Sequence, residues 1–111
     1  MTISQKRDLL PGTLDMLILK TLTVQATHGY GIAQHIQRLS QDVIRVEEGS
    51  LYPALQRMRQ KGWIKAEWRQ TPNNQRARYY TVTAAGRKHL GQEESGFADL
   101  LAAIGRIMKP V

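Results

Sequence analysis

A mainly α-helical domain with one small β-hairpin is the fold class this sequence predicts, and three observations predict it. Apolar residues recur at helical spacing through four separate stretches; a single stretch, beginning at Ile64, changes to a period of two; and Gly, Pro and Asn stand where the pattern breaks. The 111 residues make one domain, too short for a second core. No cysteine is present, which excludes disulfides and thiolate chemistry and fits a reducing compartment. The N-terminus offers no signal peptide. The apolar run after Leu14 is broken by Asp15 and Lys20, far short of the roughly twenty residues a bilayer span needs, so a cytoplasmic protein without a membrane partner is expected.

Residues 1–10 are polar and mixed in charge and read as an N-terminal arm. Pro11, Gly12 and Thr13 announce a helix over residues 13–26, with Asp15 near its positive dipole end. Leu14, Leu17, Ile18 and Leu22 form one apolar stripe, and Met16, Leu19 and Thr23 a second on its flank. Two apolar sides need two covers: either this helix is central to one core, or one side meets the core and the other a second subunit. Gly29 is expected to end it. Ile32, Ile36 and Leu39 then face inward from a short second helix, and Val43, Ile44 and Val46 form an extended link whose turn Gly49 permits.

In residues 47–63, Leu51, Ala54, Leu55 and Met58 fall on one stripe while Ser50, Gln56, Arg57 and Gln60 share the opposite surface. Pro53, assigned to the first turn, places the start of this helix at residues 48–50, and Gly62 supplies the stop. Beyond it Ile64, Ala66 and Trp68 alternate with Lys65, Glu67 and Arg69, as in a half-buried strand. Residues 71–74 have turn chemistry, and Tyr80 and Val82 give the inward side of a returning strand. Trp63 and Trp68 are both assigned to the core. Two helices followed by a basic hairpin make a winged helix-turn-helix domain over residues 11–83.

Thr83 is a cap for a last helix, and residues 84–111 form the C-terminal dimerisation segment. Leu90, Glu94, Phe97, Leu101, Ile104, Met108 and Val111 alternate by four and three residues, the seam of a short coiled coil. Gly86, Gly91, Gly96 and Gly105 each cost about 1 kcal/mol relative to alanine inside a helix and are expected to bend or shorten it. The interface of a homodimer is assigned to Leu14, Leu17, Leu90, Phe97, Leu101, Ile104 and Met108.

Charge points to the partner. Nine of the sixteen basic residues lie within residues 57–88, where Glu67 is the single acid, and the remainder of the chain is nearly neutral. Cations so confined are an electrostatic footprint for a polyanion, here double-stranded DNA carrying a two-fold related operator. Ser50, Gln56 and Arg57 are assigned to base reading, because glutamine and arginine match the adenine and guanine edges in bidentate fashion. Tyr52, Lys65, Arg69, Arg76 and Arg78 are assigned to the DNA backbone. The three histidines are scattered over separate elements and no cysteine accompanies them, so neither a metal nor another cofactor is expected. No phosphate-binding glycine loop, nucleophile elbow or hydrolytic acid pair is present, so an enzyme is not expected. The reading is a sequence-specific DNA-binding regulator that acts as a dimer. The rival is a winged-helix adaptor that binds proteins and never reads DNA; the basic bias speaks against it.

PGTLDMLIL at residues 11–19, HGYGIAQHI at 28–36, EEGSLYPALQRMRQKGWI at 47–64 and RYYTVTAAGRKHL at 78–90, in that order, resemble the winged-helix N-terminal domain of the PadR family of transcriptional regulators. The set is specific, although each stretch alone is weak. The resemblance implies a homodimer, usually a repressor, with the winged helix on DNA and a C-terminal helical region joining the subunits. Longer relatives carry a larger C-terminal domain, so this sequence resembles the compact subgroup. Some compact members bind flat aromatic compounds between subunits on an aromatic residue of the last helix. Phe97, the only aromatic after Tyr80, is the residue to which a pocket for a small aromatic effector carries over; the alternative is a plain interface residue.

Overall fold

The computed structural model describes residues 12–109, in the order α1 (Thr13–Val24), β1 (Thr27–His28), α2 (Gly29–Leu39), α3 (Glu48–Gln60), β2 (Ile64–Gln70), β3 (Arg76–Val82) and α4 (Ala84–Met108). The arm expected at residues 1–10, and Val111 of the expected seam, lie outside the described residues.

α3 buries Leu51, Ala54, Leu55 and Met58, the four positions its periodicity selects, and none is more than 2 % exposed. They close on Met16, Ile18, Leu19 and Leu22 of α1, Ile32 and Ile36 of α2, Ile64, Tyr80 and Val82 of the hairpin, and Leu90 of α4. Leu14 and Leu17 are half-buried against the same cluster. Because α1 touches α2, α3, β3 and α4, its two apolar stripes are largely covered within the chain.

Several local expectations are corrected. α1 stops at Val24, where Gln25 turns extended, and Gly29 begins α2 instead of ending α1. Between them Thr27 and His28 pair antiparallel with Tyr80 and Tyr79, making a three-stranded sheet in the order β1-β3-β2. His28 then caps α2, its Nδ1 accepting the Gly31 N–H at 3.0 Å. Tyr52 lies directly over Gly29: a Cβ there would come within 2.7 Å of the Tyr52 hydroxyl and displace that ring. Gly49 makes no turn and is the second residue of α3; the chain reverses instead at Gln41 and Asp42, with φ of 54° and 70°. Asp42 is held there by Gln37 Nε2 at 2.5 Å and Arg45 Nη2 at 2.7 Å, and the Arg45 hydrogen bond lowers its carboxyl below the ordinary value. The predicted start of α3 at residues 48–50 is observed, but Pro53 sits in the second turn. Its missing N–H leaves the Gly49 carbonyl without that helical bond, on an exposed line where water can serve it.

Gly62 stops α3 as expected, with φ of 77° and the Trp63 N–H donating to the Met58 carbonyl at 3.0 Å. In the hairpin Ile64 lies opposite Val82, Ala66 opposite Tyr80, Trp68 opposite Arg78 and Gln70 opposite Arg76. Directly opposite residues share a face, and on this face burial ends at Ala66. Trp68, assigned to the core, is 58 % exposed because the hairpin outruns the layer of helices beneath it.

α4 is one continuous helix of 25 residues through all four glycines, neither shortened nor broken by them. Thr83 caps it, its Oγ1 accepting the Gly86 N–H at 3.0 Å while donating to the Gly62 carbonyl at 2.6 Å. At Gly86 any side chain would collide with the Trp63 carbonyl, so helix and hairpin meet backbone to backbone. The far end of α4 leaves the core, which gives the molecule extents of 58 × 29 × 22 Å. Among the described residues no helix is long and apolar enough to cross a membrane.

Candidate nucleic-acid interface

The exposed side of α3 carries Ser50, Gln56 and Arg57, the three residues assigned to base reading, together with Gly49, Pro53 and Gln60. Two of the three have partners within the chain. Gln56 Oε1 accepts from Arg59 Nη2 at 3.0 Å, an exposed contact that water or a base can replace. Arg57 Nη2 donates to Asp15 Oδ1 at 2.5 Å; the carboxylate is buried, and the guanidinium stays half-exposed. Asp15 is therefore more than a favourable charge at a helix start: it fixes where Arg57 points. The only sequence signal was a carboxylate set in the apolar run of residues 14–19, and the pairing across forty-two positions was not readable from it.

Tyr52 stands exposed over Gly29, where α2 begins. Between it and the tip of the hairpin lies an open groove of about 670 Å³, to which Tyr30, Tyr52, Trp68, Arg76 and Arg78 all contribute. Tyr80 forms part of its floor, and burial pushes its phenol above the ordinary value. The four cations assigned to one backbone set fall on two faces of the hairpin. Arg76 and Arg78 share the face of Trp68, their guanidinium carbons 5.3 and 5.9 Å from its ring centroid. Lys65 and Arg69 alternate onto the other face, where Arg69 forms an ion pair with Glu67 and lies 5.3 Å from the Tyr79 ring. Strand parity makes the division, since neighbours on a strand point to opposite sides. The groove thus receives Arg76 and Arg78 but neither Lys65 nor Arg69.

Of the residues assigned to a dimer interface, Leu90 is spent on the chain's own core at 4 % exposure, and Leu14 and Leu17 are half-buried on it. Phe97, Leu101, Ile104 and Met108 remain exposed on α4, joined by Leu100 and Ile107. Phe97 also lines a shallow open pocket with Thr13, Met16, Gly96 and Leu100. Among the described residues no group of three or more histidines, cysteines or acids could hold a metal ion.

Two helices with a hairpin behind them, the second helix turned outward beside a cationic groove, define a winged-helix protein of the transcription-regulator class. A model of the "Transcriptional regulator PadR-like family" matches residues 18–92, more than half the sequence, and the chain belongs to that family. Its fold is similar to that of a transcriptional regulator from Clostridium thermocellum, with a TM-score of 0.81 at 26 % identity over 88 % of this chain and 95 % of that one. A PadR family regulator from Clostridium difficile gives 0.76 at 27 % identity over 88 % and 100 % of the two chains. One from Eggerthella lenta gives 0.76 at 26 % identity over 90 % and 85 %. An uncharacterized protein of Lysinibacillus sphaericus is 26 % identical over 104 residues, covering 94 % of this chain and 95 % of its own. The family is one of transcriptional regulators, not of enzymes.

Proposed function

We propose that this chain is a homodimeric repressor of the PadR type that reads a two-fold related operator in double-stranded DNA. The observation that carries the reading is an exposed polar side of α3 on the same helix whose Tyr52 borders a cationic groove. The outer side of α3 offers hydrogen-bonding side chains of groove-reading type, and beside it the Tyr52 hydroxyl, Arg76 and Arg78 border a groove suited to a phosphate strand. Ser50, Gln56 and Arg57 read bases, with Arg57 aimed in advance by Asp15. Tyr52, Arg76 and Arg78 hold the backbone, and Lys65 and Arg69, on the far face, add only long-range attraction. Phe97, Leu101, Ile104 and Met108 join the subunits, and a second copy laid on this face would close the pocket beside Phe97 over a small aromatic effector. A cytoplasmic site of action goes with this reading.

The test is selection of bound fragments from random DNA by the purified chain, followed by affinity measurements against salt. A dimer making about six to ten phosphate contacts loses on the order of a thousandfold or more in affinity between 50 and 200 mM salt. Arg57→Ala lowers affinity for the selected site by about 1–3 kcal/mol, whereas Arg76→Ala weakens all sequences alike. A thermal melt accompanies Arg57→Ala, because that change leaves the Asp15 carboxylate buried without its partner. A flat salt response, or equal effects of both substitutions on every duplex, contradicts the assignment and returns the chain to the protein-binding adaptor.

A further inference from the structure

Trp68 has no structural reason to be where it is. It projects from the core-facing side of β2 beyond the last core position, 58 % exposed, with Arg76 and Arg78 over its ring. Such contacts on an exposed indole stabilise a fold only weakly. The two arginines are two residues apart on β3 and on one face, hence about 6.6 Å apart along the strand. That interval is comparable with the step between successive phosphates of one DNA strand. Arg78 Nε, moreover, is shielded from solvent and has no hydrogen-bond partner among the described groups.

Building on the DNA-binding reading above, we propose that Trp68, Arg76 and Arg78 form a cradle for one DNA strand, in which the guanidiniums take two successive phosphates and the indole face covers the deoxyribose between them. The indole supplies apolar contact that the sugar offers whatever the base, so Trp68 raises affinity and sets the wing's position without choosing sequence. Arginines leave the ring for phosphate oxygens as the sugar takes their place, so the indole keeps a neighbour on its face in both states.

The test uses the full chain and a mixed-sequence duplex at about 50 mM salt. In a Trp63→Phe variant Trp68 is the sole tryptophan; should that variant fail to fold, the difference between the parent and Trp68→Phe gives the same signal. Duplex addition is expected to change Trp68 emission and to shield it from acrylamide. Trp68→Ala is expected to lower affinity about tenfold on every sequence, Trp68→Phe to recover most of that loss, and neither to alter the slope of log affinity against log salt, because the indole neutralises no phosphate. Arg76→Ala, by contrast, reduces that slope by about one. Three results overturn the cradle. Unchanged Trp68 emission with Trp68→Ala binding within twofold of the parent refutes the contact and leaves DNA binding standing. A slope reduced by Trp68→Ala means that the ring acts only by holding the arginines. A parent chain that binds no duplex removes both the cradle and the reading beneath it.

Discussion

α3 and α4 are built to opposite specifications. α3 is 13 residues long and buries four side chains, every one in the chain's own core; α4 is 25 residues long and buries only Gly86 and Leu90. The short helix is therefore fixed by tertiary contact and free to carry an irregular sequence, including Pro53 in its second turn. The long one is fixed at its start by the Thr83 cap and the Gly86 approach, lies against α1 as far as the Lys20–Glu94 ion pair and the pocket beside Phe97, and exposes Phe97, Leu100, Leu101, Ile104, Ile107 and Met108. Helix propensity does not account for that extension, since four glycines lie within it and isolated helical segments are marginal in water. What the contrast teaches is that an element's length need not follow from how much of the chain's own core it serves.

The sharpest way to break the comparison is to change one apolar side chain in each helix. Met58 is wholly buried, so Met58→Ala should cost about 2–5 kcal/mol of unfolding free energy in urea. The α4 counterpart is Ile104→Asp, at a position 44 % exposed in the single chain. It should leave the fold intact and weaken self-association by about a hundredfold or more, read by sedimentation across a concentration series. If Ile104→Asp leaves the association state unchanged, α4 is merely an exposed helix and the dimer proposal falls. If Met58→Ala costs under about 1 kcal/mol, α3 is not held as described.

A smaller effect tests the junction. Thr83 Oγ1 both accepts the Gly86 N–H and donates to the Gly62 carbonyl, tying the start of α4 to the end of α3. Thr83→Ala should cost about 1 kcal/mol, within the usual range for a lost cap. Thr83→Ser should restore it, since the hydroxyl and not the methyl makes both bonds. Equal losses for the alanine and serine variants would mean that the methyl's contacts, not the cap, matter.

How much of this was legible in sequence follows from range of interaction. The four buried positions of α3, the stop at Gly62, the period-two hairpin and the Thr83 cap are local patterns, and each reappears in the structure. The turn at Gln41 and Asp42 and the second-turn place of Pro53 are local misplacements; the larger errors concern where a local pattern meets something distant. Trp68 obeys the strand alternation that placed it on the inner face, but the helix layer beneath ends at Ala66, which no alternation can announce. β1 is two residues long, too short to show a period, and exists only because Tyr79 and Tyr80 lie beside it. Gly29 looked like a terminator and is instead a gap left for the Tyr52 ring. In the candidate interface, the residue types were readable and their division was not drawn, although the alternation of Lys65, Glu67 and Arg69 against Trp68 already separated Arg69 from Arg78 once the register was known. The Asp15–Arg57 pair joins the first and third helices, and the carboxylate in the apolar run of residues 14–19 was a sign of a partner but not of which one.

The smallest expected effect is also the one whose sign carries the most information. An added Cβ at Gly91 or Gly105 meets nothing within 4 Å in the single chain, and neither residue has positive φ. Alanine there should stabilise α4 by about 0.5–1 kcal/mol through the backbone freedom it removes from the unfolded chain. Gly86→Ala should do the reverse, because its Cβ strikes the Trp63 carbonyl, a backbone atom that cannot move aside. Gly91 and Gly105 then separate from each other if a partner helix lies along the distal half. At dilute concentration both substitutions raise the melting temperature. At high concentration Gly91→Ala keeps its gain, while Gly105→Ala, beside Ile104, loses it wherever the partner's backbone approaches closely. Identical gains at every concentration would mean that no second helix comes near Gly105, and that the two subunits, if they pair, touch through side chains alone.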